Sequence, residues 1–271
     1  MTAMPKDAAT VILLRDHPDS EGFEILMVLR HPKSVFVPNS FVFPGGVLEE
    51  NDYAPDMERL CIGLTRQTAE AQLENLSSPE IALGTWVCGI RETFEEVGLL
   101  LAHRDDGRLL VFDSDETAAR FHTHRRLLFE GKRSLDDILR EEELRLATDR
   151  LHYFSHWITP EFLPLRYDVR FFVAMAPEEQ EARHDGVELT GHVWITPQEA
   201  LERFRNGKCN MVLPTLITME ELSGYETAHE VIESTRQKNI QGILTRMVEE
   251  DGEIVEYMPD GRGFKNLPPS S

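Results

Sequence analysis

Glu92, Glu95 and Glu96 stand at spacings that place three carboxylates on one side of a helix, directly after Arg91. The helix is marked at both ends. Ser78-Pro79-Glu80 combines a capping hydroxyl with proline at the first helical position, and Gly98 is a natural stop. Leu83, Val87, Ile90, Phe94 and Val97 recur at three- and four-residue steps and predict one apolar stripe. At about 100° per residue the three glutamates fall on the opposite face. Like charges at this spacing repel, so an exposed acidic ridge destabilises the helix unless a cation sits on it. Hard oxygen ligands of this kind suit Mg²⁺ or Mn²⁺. The alternative is a solvated acidic face.

Arg91 lies beside the ridge, about 90° from its centre. Its guanidinium matches carboxylate geometry and can hold a glutamate in place; the alternative is a surface ion pair worth little. Upstream, Phe41-Val42-Phe43 reads as a strand. Gly45-Gly46 after it lets the backbone turn tightly and approach a ligand closely, or serves a plain hairpin.

The elements that must position these groups are mixed α and β. Val11–Leu14 and Phe23–Leu29 predict two strands, with the polar stretch from Asp16 to Gly22 as a hairpin turn. The segment 53–78 is an insertion, helical around Met57 to Leu73, since a bare loop of that length is unusual. Leu109–Phe112 predicts a short strand. Ser114–Gly131 and Ser134–Arg145 predict helices, each opened by serine and acids. Strands return at Tyr153–Ile158 and Asp168–Ala174. Trp194-Ile195 then meets Thr196-Pro197-Gln198-Glu199, a capping box. The last 50 residues predict helix and then a hairpin at Asp251-Gly252. The boundaries drawn are 9–213 for the main domain and 214–271 for an extension packed on it.

Composition narrows the partners. The chain of 271 residues carries 28 basic and 48 acidic side chains, net −20, which disfavours nucleic acid and anionic membrane. A phosphate-bearing small molecule has to be met by metal and local cations. Cys61, Cys88 and Cys209 have neither metal-ligand spacing nor even pairing, and predict reduced thiols in a cytoplasmic setting. Met1–Thr10 has no signal-peptide pattern, no run is long enough to span a membrane, and Pro-Pro-Ser-Ser is not a peroxisomal tripeptide. Oligomeric state is left open, with a homodimer as one option.

Phe43-Pro44-Gly45-Gly46-Val47-Leu48-Glu49-Glu50-Asn51-Asp52, joined to Arg91-Glu92-Thr93-Phe94-Glu95-Glu96-Val97-Gly98-Leu99, resembles the Nudix box. It departs from the pattern Gly-x5-Glu-x7-Arg-Glu-U-x-Glu-Glu-x-Gly-U in three ways. Asp52 replaces glutamate, Thr93 fills a usually apolar place, and 38 residues rather than seven separate Asp52 from Arg91. With the upstream segment Phe36-Val37-Pro38, the interrupted box resembles the coenzyme A diphosphatase branch of the Nudix hydrolases, known from peroxisomes and with bacterial relatives. The resemblance implies an α/β/α sandwich with a mixed sheet, here with a helical insertion and a C-terminal extension.

It also implies a metal-dependent pyrophosphohydrolase, with metal held by Glu92, Glu95, Glu96 and the Gly45 carbonyl, acting on coenzyme A or its acyl forms. ADP-ribose, NADH or another nucleoside diphosphate derivative is the alternative substrate. A binding module that senses a nucleotide without cleaving it is disfavoured because all three box glutamates are present. Arg91 counts with the catalytic groups. Two acids remain open as general base: Glu92, and Glu188 in Asp185-Gly186-Val187-Glu188-Leu189, since several Nudix branches place an acid on that loop. Arg30, His31 and Lys33 follow a strand and either meet the substrate's phosphates or form a solvated turn. His122-x-His124 reads as a pair of surface histidines, because residues two apart on a helix point to different sides.

Overall fold

Val11-Ile12-Leu13-Leu14 is fully buried, and an apolar run without alternation belongs in the middle of a sheet covered on both faces. The computed structural model describes residues 3–265 apart from 18, 20, 35–37, 74–75 and 162; Phe36 and Val37 thus lie outside the described residues. Strand β1 (Lys6–Asp16) forms the expected antiparallel hairpin with β2 (Phe23–Arg30), Leu14 opposite Ile25. Short strands β3 (Phe41–Val42) and β4 (Gly45–Val47) follow. One edge of β1 is shared: its first half pairs with β4 and its last half with β2.

The insertion holds a 3₁₀ turn at Met57–Leu60 and a short helix α1 (Arg66–Glu70). Met57, Leu60, Leu64, Ala69 and Leu73 are buried in the core that also holds the long helix α2 (Pro79–Val97), so the insertion is core rather than loop. Strand β5 (Ala102–Arg104), helices α3 (Asp115–Phe129) and α4 (Leu135–Glu141), and strand β6 (Leu144–Leu146) come next. Strands β7 (His152–Ile158) and β8 (Tyr167–Met175) add to the main sheet, β8 parallel to β1 and β7 antiparallel to β8. Strand β9 (Leu189–Ile195) pairs with β2 and leads into α5 (Pro197–Arg205), capped by Thr196.

The chain continues with α6 (Leu213–Leu222), α7 (Ala228–Thr235), β10 (Gly242–Leu244), β11 (Arg246–Glu250), β12 (Glu253–Tyr257) and β13 (Gly263–Lys265). The main sheet runs β10-β7-β8-β1-β2-β3, with β4 on β1 and β9 on β2. One core lies between this sheet and α2, α3 and α4, and a second lies between it and α5, α6 and α7. This is an α/β/α sandwich with a mixed sheet. Asp251 and Gly252 both take positive φ, 52° and 83°, as a two-residue hairpin turn requires.

Two expectations change. Leu109–Phe112 is no strand; Leu109 makes an isolated bridge to His103, and the strand there is β5. The helix from Ser134 stops at Glu141 rather than reaching Arg145. Glu143 takes φ 53°, and Leu144-Arg145-Leu146 alternates buried, exposed, buried as β6 against β5. The three glutamates 141–143 continue a helical pattern, but burial of the two leucines decides the geometry.

Candidate active site

Helix α2 presents the acids. Ser78 Oγ accepts from the Ile81 N–H at 3.3 Å, Pro79 occupies the first turn, and Gly98 closes the helix at φ 76°. Its apolar stripe is buried as expected. Arg125 on α3 donates to the Glu95 carbonyl at 2.8 Å and the Glu96 carbonyl at 2.7 Å. It thus satisfies orphan carbonyls of the last turn and places a cation at the negative end of the helix. Nothing local marks Arg125 for this, since the contact is tertiary.

Arg91 is not a surface residue. It is 2% exposed and its partner Asp52 1%. Arg91 Nε and Nη2 donate to the two Asp52 carboxylate oxygens at 2.8 and 2.9 Å, a bidentate pair. The same Nη2 reaches the Val47 carbonyl at 3.0 Å, and Nη1 reaches Glu92 at 2.8 Å and Glu95 at 3.1 Å. Asp52 also accepts from the Glu49 N–H at 2.9 Å. The two halves of the interrupted motif therefore meet through one guanidinium, and the insertion leaves and returns at nearly one place.

Gly45 and Gly46 do not turn the chain. They lie in β4, and neither has positive φ. What they supply is closeness. A Cβ on Gly46 would fall 2.3 Å from Glu92 Oε1, and one on Gly45 would fall 2.4 Å from the Ala9 carbonyl oxygen. The Gly45 N–H donates to Glu96 Oε2 at 2.9 Å. Glu92 and Glu96 are thus seated directly against backbone.

The acidic ridge is not solvated either. Burial pushes the Glu92 carboxyl up to about 7, with Arg91 opposing and Glu95 adding to the rise. Glu96 is raised well above its ordinary range, by burial and then by repulsion from Glu92. Glu95 is raised by burial in the same way. Three half-sequestered oxygen donors that repel one another, with one filling the space a glycine leaves open, fit a hard divalent cation.

Gly45, Arg91, Glu92, Glu95, Glu96 and Glu188 share the wall of one cavity of about 730 Å³. Glu188 is exposed on a loop whose Asp185 Oδ1 accepts the N–H groups of Val187, Glu188 and Leu189. Its carboxylate adds to the rise at Glu96, whereas Arg30 opposes that rise. Arg30 lines the cavity, but His31 and Lys33 do not; they form an exposed turn in which His31 Nδ1 accepts from the Lys33 N–H. The cavity's other cations are Lys132 and Arg133, which follow Gly131 at the end of α3. Sequence reasoning passed over this turn, although two basic residues after a helix-ending glycine were visible.

His122 is exposed, but His124 is buried at 4% and Nε2 lies 2.9 Å from Glu142 Oε1. The reading of both as surface histidines fails for His124 because α4 packs its acids over that face of α3. His124, Glu141 and Glu142 converge closely enough to hold a metal. Arg120 and Arg133 already pair with those carboxylates, so the charge is compensated without one.

A family model of the NUDT19 Nudix domain matches residues 5–222. Acyl-coenzyme A diphosphatase NUDT19 of Xenopus laevis is 27% identical over 252 residues, covering 83% of this chain and 66% of that protein. The Homo sapiens protein of that name is 24% identical over 267 residues, covering 83% and 67%. The chain thus spans about two thirds of the length of these curated relatives. The crystal structure of a NUDIX hydrolase from Alicyclobacillus acidocaldarius superposes with TM-score 0.71 at 24% identity, covering 85% of this chain and 96% of that one.

Proposed function

The chain belongs to the NUDT19 Nudix family, and on that premise we propose that it hydrolyses the pyrophosphate bond of coenzyme A or acyl-coenzyme A. The products are 3′,5′-ADP and 4′-phosphopantetheine or its acyl form. The observation that carries the reaction type is the convergence of Asp52, Arg91 and the three glutamates on Gly45-Gly46 in one cavity. The substrate rests on the relatives named acyl-coenzyme A diphosphatase.

Glu92, Glu95, Glu96 and the Gly45 carbonyl would hold Mg²⁺ or Mn²⁺. When bound, that cation neutralises charge on the phosphoryl oxygens and acidifies a water. Arg91 fixes the rotamers of Glu92 and Glu95, and the Gly45 N–H fixes Glu96. With Glu92 committed to Arg91, the loop acid Glu188 takes the proton from water. Arg30 and the Lys132-Arg133 turn meet the remaining phosphate charge, which the protein's net −20 otherwise repels. Three free cysteines favour a reducing compartment, and we place the enzyme in the cytoplasm.

Purified protein with Mg²⁺ or Mn²⁺, offered coenzyme A, acyl-coenzyme A, ADP-ribose and NADH, is expected to cleave the coenzyme A species fastest. Faster cleavage of ADP-ribose or NADH overturns the substrate and leaves the broader pyrophosphohydrolase. Glu188→Gln is expected to lower kcat by about 10² or more, with metal affinity retained, as loss of a general base does. A kcat within threefold of wild type removes Glu188 from the base role.

A further inference from the structure

The cavity is much longer than a pyrophosphate. Its wall follows one row across the sheet, from Val47 on β4 through Ala8 and Val169 to Trp157 on β7, with Ile243 of β10 next in register. Strands lie about 4.8 Å apart, so four steps separate β4 from β10 by roughly 19 Å. Beyond β10 the wall is formed by Thr245 and Glu256. Both belong to the C-terminal extension, outside residues 5–222 that the family model matches. Neither has a part in the hydrolysis described above.

Glu256 is an acid in a costly place. It is 4% exposed, on β12 two residues before Met258 of the second core. Its Oε1 accepts from the Thr245 hydroxyl, and no donor among the described residues meets Oε2. Burial raises this carboxyl, and no basic group offsets the rise. On the same wall, the buried Trp157 indole N–H has no partner among the described residues. A buried donor left unpaired destabilises the fold, and native proteins seldom keep one without use; the Glu256 carboxylate lines the same wall with one oxygen uncommitted among the described residues.

We propose that this end of the cavity is a recognition site for an uncharged, amide-bearing arm of the substrate, with Glu256 as the specificity-determining residue that accepts a hydrogen bond from it. The proposal rests on the pyrophosphate reading of the opposite end. Charge sets the orientation. An acid repels phosphate, so the phosphates lie toward Arg30, Lys132 and Arg133, and the neutral part of the molecule lies against Glu256. In coenzyme A that part is the pantetheine arm, whose amides carry both an N–H and a carbonyl. Such a group answers Glu256 and the Trp157 N–H together.

The test is calorimetric binding of the two halves of coenzyme A, 4′-phosphopantetheine and 3′,5′-ADP, to wild type and Glu256→Leu. Leucine keeps the bulk and removes the acceptor. Affinity for 4′-phosphopantetheine is expected to fall about tenfold or more, the size of a lost hydrogen bond to a charged group. Affinity for 3′,5′-ADP stays within twofold. Thr245→Val, which leaves the carboxyl in place without its hydroxyl partner, gives a smaller loss in the same direction and serves if the leucine variant fails to fold. Equal weakening of both halves, weakening of 3′,5′-ADP alone, no change with either, or no binding of 4′-phosphopantetheine to wild type overturns the proposal. Turnover of coenzyme A is measured in parallel. Selective loss of binding in a protein that never cleaves coenzyme A refutes the hydrolase reading and spares this one; normal cleavage with unselective binding does the reverse.

Discussion

Glu96→Gln is expected to yield a folded protein whose turnover is lower by 10² or more, and Glu95→Gln the same. Both substitutions keep shape and remove ligand charge. Loss of about 3 kcal/mol of transition-state stabilisation corresponds to that factor. The stability readout separates a site effect from damage. Without metal, Glu96 is repelled by Glu92 and held by the Gly45 N–H. A glutamine oxygen can still accept that N–H, and the repulsion is gone. The metal-free Tm of Glu96→Gln is therefore expected to match or exceed wild type, while the rise in Tm on adding Mn²⁺ shrinks. Near-normal turnover in both variants defeats the assignment of the site. A large fall in metal-free Tm shows instead that Glu96 is structural.

Asp52→Ala is expected to be among the most destabilising single changes in the chain. It removes the bidentate partner of an arginine that remains buried. Breaking a buried pair from one side costs about 3–5 kcal/mol. At a few degrees per kcal/mol for a domain of this size, Tm falls by roughly 10 °C. Activity falls as well, because the same guanidinium aligns Glu92 and Glu95. Glu233→Gln, which breaks the exposed pair with Arg236, serves as control and is expected to change stability by less than about 1 kcal/mol. Comparable Tm shifts in the two variants would show that the buried pair contributes no more than a surface one.

Helix α2 was legible almost to the residue, because its stripe, its serine cap and its glycine stop are all local signals. The hairpins β1–β2 and β11–β12 were legible for the same reason. What escaped was set by tertiary contact. A glycine pair serves either a positive φ or a close approach, and nothing nearby says which; in Gly45-Gly46 it is the Glu92 carboxylate that needs the room. Strands β5 and β6 have three residues each, too few for a period to show. Arg125 reaches α2 from 29 or 30 positions away, and nothing local announces it. Among the cations that line the cavity, Arg30 was singled out and the Lys132-Arg133 turn was not, since a basic turn looks alike whether it faces solvent or a cavity. His124 was misjudged because the acids that bury it come from the next helix.

The clasp between Asp52 and Arg91 changes what spacing means in a motif of this kind. With the two ends pinned by a bidentate contact, the residues between them form a closed loop. The entropy of closing a loop grows only logarithmically with length, by about 0.6 kcal/mol for each doubling. Natural selection can therefore lengthen the detour at little thermodynamic penalty, and a search that demands seven intervening residues imposes a limit that physics does not. Composition is constrained far more tightly than length. Helix α1 packs on α2 with Ala69 buried, and Met57 and Leu60 fill the core toward α4 and β6, so a detour of any size has to bring its own lid for that core. Descendants of such a chain are free to drift in the number of residues between the two halves, and much less free in which greasy side chains they carry.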